Sequence, residues 1–241
     1  MFRMRETVVL LHGFSGTARA WDRVLARLDS ERYRPVALDL RGHGAAGDRR
    51  PVTFAACIED VLGAAPPRFA LAGYSMGGRI ALALALDHPG RVDRLVLVSA
   101  SPGIVDAADR SQRRRDDDWL AERLEGQGIE AFARDWESQP LFAGQPEEVV
   151  AEARADRLRN RVPGLAAALR GLGTGAMDPM WDRLGELSMP VVVVVGERDE
   201  RFRDIGARMV AGVERGRLVV VAGAGHAVHL EAPAAVADAI G

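Results

Sequence analysis

The chain has 241 residues, 48% of them apolar and 27% charged, with a formal net charge of −2. That length suits one sizeable domain, or one domain carrying a large insertion, and the apolar fraction is ample for a core. The charge balance lacks the cationic excess of a chain that binds nucleic acid or a membrane surface. The one cysteine, Cys57, rules out an intramolecular disulfide. It stands among Phe54, Ala55, Ala56 and Ile58 and reads as a buried structural thiol. Every basic residue is arginine, so each cationic site can grip a carboxylate through two donors. Met1-Phe2-Arg3-Met4-Arg5-Glu6 lacks the apolar run of a secretion leader, and no stretch is long and uncharged enough to span a membrane. A cytoplasmic protein is expected, as a monomer or weak homo-oligomer.

Thr7-Val8-Val9-Leu10-Leu11 is a continuous apolar, β-branched run suited to a strand buried on both faces. It empties into His12-Gly13-Phe14-Ser15-Gly16, whose glycines let backbone N–H groups approach a ligand. An amphipathic helix is predicted around Ala18–Leu28, with Trp21, Val24, Leu25 and Leu28 on one face. Pro35–Leu38 is a short strand leading to Asp39-Leu40-Arg41-Gly42-His43-Gly44, and a helix is expected from Thr53 to Gly63. Phe69-Ala70-Leu71-Ala72 then runs into Gly73-Tyr74-Ser75-Met76-Gly77 and an apolar helix ended by Asp87-His88-Pro89-Gly90. Leu95–Ser99 is the next strand.

From about Ser101 to Asp182 pure apolar runs vanish, charges become dense, and Trp119, Trp136 and Trp181 appear. Several short amphipathic helices are expected there, forming a cap over residues 101–182, with the core in residues 1–100 and 183–241. Strand character returns at Pro190–Gly196 and Leu218–Val221, separated by a helix over Arg203–Val213 and followed by a closing helix over Ala232–Ile240. Strands alternating with helices specify a mostly parallel α/β sheet flanked by helices, with the helical cap inserted after the strand at 95–99.

Strand, tight turn and helix around Ser75 match a nucleophile elbow, in which a serine stands at the apex with its Oγ above the sheet. Such a serine needs an imidazole, and the imidazole needs a carboxylate to fix its tautomer. Asp199 stands just past the five-valine strand, and His226 just past the last strand. Catalytic groups of open α/β sheets collect at these carboxyl ends, and the order Ser, Asp, His agrees. Glu197 and Glu200 are rival acids, and Asp199, nearer the loop tip, leads them. His229 is the rival imidazole; it lies three residues past His226, leading into the expected final helix, where a surface or cap-facing role is expected. His12 is read as organising the loop after the first strand, His43 as structural and His88 as a solvated cap. Two backbone N–H groups, of Phe14 and Met76, are the candidate oxyanion donors. No spacing of His, Cys and carboxylates matches a metal site, and no cofactor is expected.

These landmarks, His12-Gly13-Phe14, Asp39–Gly44, Gly73–Gly77, Gly196–Asp199 and Gly223–His226, resemble the α/β-hydrolase superfamily across nearly the whole chain. The first strand resembles the family's third, which leaves the usual leading hairpin shortened or missing. A narrower resemblance is to the 2-succinyl-6-hydroxy-2,4-cyclohexadiene-1-carboxylate synthases of menaquinone biosynthesis. It rests on Tyr74, Gly77-Gly78-Arg79, Ser99–Ile104, Arg110, Arg113, Asp117, Gly128–Phe132, Trp136-Glu137, Gln139–Phe142, Leu158-Arg159-Asn160 and Gly196–Phe202. That resemblance implies a lyase eliminating pyruvate from 2-succinyl-5-enolpyruvyl-6-hydroxy-3-cyclohexene-1-carboxylate, with Ser75, His226 and Asp199 acting as a base. It also implies Arg79, Arg115 and Arg159 as carboxylate-binding residues, with Tyr74 and Trp136 lining the pocket.

The residues themselves fit a polycarboxylate substrate, because guanidinium forks match carboxylates. Arg79 sits in the first turn of the elbow helix, where a cation opposes the helix dipole and an anionic ligand would offset the cost. The register does not choose among Arg113, Arg114 and Arg115, and most cap arginines are expected in surface ion pairs. The alternative is a serine hydrolase of an ester or carbon–carbon bond working through an acyl-enzyme. A binding protein on a retired catalytic fold would have lost a triad member, and none is lost.

Overall fold

A computed structural model describes residues 5–241; Met1–Met4, part of the leader reading, lie outside it. Its six strands are β1 (Glu6–Leu11), β2 (Tyr33–Leu38), β3 (Phe69–Tyr74), β4 (Val92–Val98), β5 (Val191–Gly196) and β6 (Gly216–Val221). They form one parallel sheet in the order β2-β1-β3-β4-β5-β6. Because side chains alternate across a strand, Val9 and Leu11 enter one core while Val8 and Leu10 enter the other. Both sets are fully buried, which is why the run contains no polar residue.

The first core is roofed by α2 (Phe54–Ala64), α3 (Met76–Asp87) and α7 (Glu200–Ala211). The second lies under α1 (Asp22–Leu25), α8 (Val228–Glu231) and α9 (Pro233–Ile240). Between β4 and β5 the chain leaves the sheet for α4 (Ala107–Glu137), α5 (Glu147–Arg157) and α6 (Val162–Leu172). This insertion has its own small core of Ala121, Leu124, Phe132, Leu165, Ala166 and Leu169.

Two expected elements differ. The helix predicted over Ala18–Leu28 is a 3-10 turn, Ala18–Trp21, followed by only the four residues of α1. Beyond it Arg27 and Leu28 donate to Val24 and Leu25, tightening the chain for its return into β2. The insertion is not made only of short helices, since α4 runs for 31 residues. Asp106 caps its start by accepting from the N–H groups of Ala108 and Asp109, and the continuity breaks only at Gly128, at φ 80°. The closing helix stands where expected, as α9 with Pro233 as its first residue, and Ala232, at φ −139° and ψ 61°, separates it from the short α8 that precedes it.

The strand order places the site. The chain steps from β1 out to β2, then back across to β3 and onward the other way, so the direction of winding reverses between β1 and β3. The loops after β1 and β3 therefore meet at a crevice at the carboxyl edge. Gly73 and Gly77 make the meeting possible. A Cβ on Gly77 would lie 2.2 Å from Leu11 O, and one on Gly73 would lie 2.4 Å from Gly77 O.

Candidate active site

Ser75 sits between the end of β3 and the start of α3 with φ 50° and ψ −107°. A non-glycine residue in that region carries roughly 1–3 kcal/mol of strain and persists only where its surroundings hold it. The holding is visible: Ser75 N–H donates to Val98 O at 2.9 Å, and its carbonyl accepts from Arg79 N–H at 3.1 Å. His226, on the loop after β6, brings Nε2 to 3.4 Å from Ser75 Oγ. Its Nδ1 lies 2.6 Å from Asp199 Oδ2, on the loop after β5. Since an ionised carboxylate only accepts, the proton sits on Nδ1 and the Nε2 lone pair faces the serine hydroxyl. The 3.4 Å separation is within the looseness usual before a ligand tightens such a site. Asp199 also caps α7 through Phe202 N–H, which starts that helix earlier than the expected Arg203.

Sequence reasoning did not assign Ser99 a part in this arrangement. It is fully buried at φ 46°, and its Oγ donates to the carbonyl of His226 at 2.8 Å. Its signal was its place, just past a buried strand and beside the elbow. Phe202 adds an edge-on ring 4.6 Å from the imidazole.

The loop after β1 is built around two buried neutral histidines. His12 Nε2 accepts from Leu40 N–H at 3.0 Å, so its Nδ1–H donates to Gly13 O at 2.8 Å. His43 Nε2 accepts from Ser15 N–H at 3.2 Å. Burial pushes both imidazoles down, His43 well below the ordinary range, so neither carries charge near neutral pH. Between them Phe14 N–H, and across the crevice Met76 N–H at the start of α3, donate to no protein acceptor among the described residues. Preorganised donors free in this way are what a developing oxyanion requires.

A cavity of about 340 Å³ opens over Ser75 and His226. Phe14, Met76, Trp136, Leu169 and Phe202 line it together with three guanidinium groups, of Arg79, Arg113 and Arg201, and one carboxylate, Asp117. Arg79 donates to Leu172 O at 2.8 Å, while its buried Nε has no partner. Burial, then the nearby Arg113 charge, lowers it to about 10, so it stays cationic at neutral pH. Arg113 donates to Asp117 Oδ1 at 2.8 Å, and burial raises the Asp117 carboxyl against the pull of Arg113.

Two expected arginines stand elsewhere. Arg115 is exposed, bonded back to Gln112, and does not reach the cavity. At about 100° per residue it points roughly 200° from Arg113, which shares the inner face with Asp117. Arg159 is half exposed and faces Asp156 at 3.9 Å outside the cavity. The inward residue is Arg157, 6% exposed, with Nε donating to Ser15 Oγ at 3.1 Å. Val149, Ala153, Asp156 and Arg157 follow a helical stripe, a spacing that identifies the inner face of α5.

Trp136 lines the large cavity, packed on Phe14 at 5.0 Å and Phe132 at 5.4 Å. Tyr74 instead lines a smaller cavity of about 60 Å³ beyond Phe14 and Trp136, together with Arg157 and His229. His229 is not at the surface. It is 1% exposed, with its ring 4.0 Å from that of Tyr74, because the break at Ala232 gives it a short inward helix of its own. Burial lowers it to about 3. It cannot rival His226, which alone reaches Ser75. His43 is fully buried, and His88 is exposed at the end of α3. No group of three or more His, Cys or acidic residues suited to a metal, and no helix long and apolar enough to cross a membrane, occurs among the described residues.

The family model for the alpha/beta hydrolase fold matches residues 6–233. A protein of Bacillus subtilis (strain 168), named a putative 2-succinyl-6-hydroxy-2,4-cyclohexadiene-1-carboxylate synthase, is 38% identical over 240 residues, covering 95% of this chain and 86% of the relative. The enzyme of that name from Enterobacter sp. (strain 638) is 33% identical over 234 residues, covering 95% of this chain and 88% of its own. Among solved structures, MenH from S. aureus superposes with a TM-score of 0.90 at 32% identity, covering 99% of this chain and 92% of that one.

Proposed function

The chain belongs to the α/β-hydrolase family, and we propose that it uses this serine centre as a lyase. The reaction is elimination of pyruvate from 2-succinyl-5-enolpyruvyl-6-hydroxy-3-cyclohexene-1-carboxylate. The observation that carries the reading is that Ser75, His226, Arg79 and Arg113 open into one cavity. An ester of fatty character needs no cations in the cavity, whereas a substrate with several carboxylates pairs with both and offsets the cost of burying Arg79. The likeness to relatives named for this activity supports the same choice.

In this reading Ser75 gives its proton to His226 and, as an alkoxide, takes the ring proton beside the succinyl carbonyl. The electron pair moves onto that carbonyl oxygen, held by the N–H groups of Phe14 and Met76. Collapse of the enolate shifts the ring double bond and breaks the bond from ring carbon to enolpyruvyl oxygen. Enolpyruvate leaves, accepts a proton and becomes pyruvate, and the ring is left as the conjugated diene. Asp199 keeps the imidazole oriented and offsets its charge while it holds the proton. Residues 101–182 act as a cap that supplies Arg113 and Trp136, while Arg79 comes from the core. Arg157 contributes from behind Phe14 in place of Arg159.

The test is incubation with that substrate, following pyruvate with a coupled dehydrogenase and the diene by absorbance. Equal release of both supports the lyase. Turnover of simple esters with no pyruvate moves the assignment to a hydrolase that acylates Ser75.

A further inference from the structure

The insertion is tied to the reacting centre at two places, neither of which touches the large cavity. Both ties use α5 and the turns that flank it. At its C-terminal end, Asp156 Oδ2 accepts from Thr17 N–H at 2.8 Å, and Oδ1 accepts from the Thr17 hydroxyl. One turn on, Asn160 Nδ2 donates to Ser15 O at 2.8 Å, while its Oδ1 accepts from Gly44 N–H at 2.9 Å. Ser15 follows Phe14 directly and is held at φ 63°, a conformation that a serine does not keep without restraint. Ser15, Thr17 and Asn160 are at least nine-tenths buried and the Asp156 side chain is 11% exposed, so water competes little for the bonds.

At the other end the turn before α5 meets the loops of Asp199 and His226. Arg198 donates to Gly144 O at 2.7 Å and to Glu231 Oε2 at 2.7 Å. That same oxygen accepts from Gly225 N–H at 2.8 Å, and Oε1 accepts from the Gln145 side-chain amide at 3.1 Å. The Glu231 carboxylate is only 3% exposed. It therefore joins the residue before Asp199, the residue before His226 and the insertion in one charge-assisted cluster centred on a buried carboxylate.

We propose that α5 with its flanking turns is a brace rather than a free lid, and that Asn160, Asp156 and Glu231 are positioning residues. The first two set the loop that carries Phe14 N–H, and the third sets the loops that carry Asp199 and His226. The inference rests on Ser75 as the reactive group, and not on which reaction it performs. An error of about 1 Å at such loops costs up to about 100-fold in rate.

A p-nitrophenyl alkylphosphonate tests this, because its capture by Ser75 needs both the imidazole and the oxyanion donors. For Asn160→Ala, Asp156→Ala and Glu231→Ala the limiting inactivation rate is expected to fall about tenfold or more. The concentration giving half that rate should stay within about twofold, since no binding contact is lost. Glu231→Gln, which keeps an acceptor for Gly225 N–H, should recover part of the rate. Tyr33→Phe removes a bond to Gly241 O far from the site, and serves as the control for stability alone. If Asn160→Ala or Asp156→Ala fails to fold, Thr17→Val reads the same end. Variants that keep the parent's limiting rate, or lose no more than Tyr33→Phe at equal stability, overturn the brace. Parent protein that is inactivated yet releases no pyruvate overturns the lyase and leaves the brace standing.

Discussion

The carboxyl edge of the sheet and the helical insertion hold their polar residues by different means. At the sheet edge, position is fixed by backbone. The three non-glycine residues at positive φ among the described residues, Ser15, Ser75 and Ser99, all stand around the reacting centre, each pinned by hydrogen bonds. In the insertion, Arg113 reaches the cavity on a flexible stem and is steered by one carboxylate, Asp117. In the proposed lyase, strain and burial at the edge would set the geometry of proton transfer, while exchangeable side chains on the helices would set what is recognised. The two regions should therefore fail differently when altered.

The largest expected effect is at the edge. Ser75→Ala should lower kcat by roughly 10⁴-fold or more with the fold intact by circular dichroism; a variant retaining full turnover sinks the assignment. Next come the cavity cations. Arg79→Ala and Arg113→Ala should each lower kcat/KM by roughly 30- to 100-fold, corresponding to about 2–3 kcal/mol for a charge-assisted pair. Their phosphonate labelling should change little if recognition and reactivity are separable. Unchanged kcat/KM in both would remove the main support for a polycarboxylate substrate.

A third comparison concerns pH. His229 falls to about 3 in the folded chain, and burial also lowers His12 and His43. Unfolded imidazoles bind protons near pH 6.5, so between that value and about pH 3 the unfolded state holds the extra proton and stability declines as pH falls. Melting temperature should drop by roughly 5 °C or more on going from pH 7 to pH 4.5, and His229→Phe should flatten part of that slope. A slope identical in parent and variant would contradict the neutral buried state. The smallest effect is expected at the displaced arginines: Arg115→Ala and Arg159→Ala should leave kcat/KM within about twofold.

The same contrast explains what could be read from residues alone. Strands such as Val191–Val195 were legible because a parallel strand buried on both faces admits only apolar side chains. Ser75, Asp199 and His226 were legible because loops at strand ends, shaped by glycines, leave little freedom of phase. Arg113 and Arg157 were not, because a helix of unknown start has no fixed phase and arginines stand at several successive registers. His229 was misplaced for a related reason. The closing helix was legible from Ala232 on, but the four residues of α8 ahead of it are too short a run to show a helical period, so its inward turn was hidden.

The central claim is that one cavity joins a proton-abstracting serine to cations that hold carboxylates. Its most direct test is intact-mass analysis of Ser75 during turnover of the enolpyruvyl substrate, with pyruvate measured in the same samples. Pyruvate accumulating while the protein mass stays unmodified, and slowed in Arg79→Ala and Arg113→Ala, is the predicted result. A transient acyl adduct on Ser75, or pyruvate formation indifferent to both arginines, would contradict it.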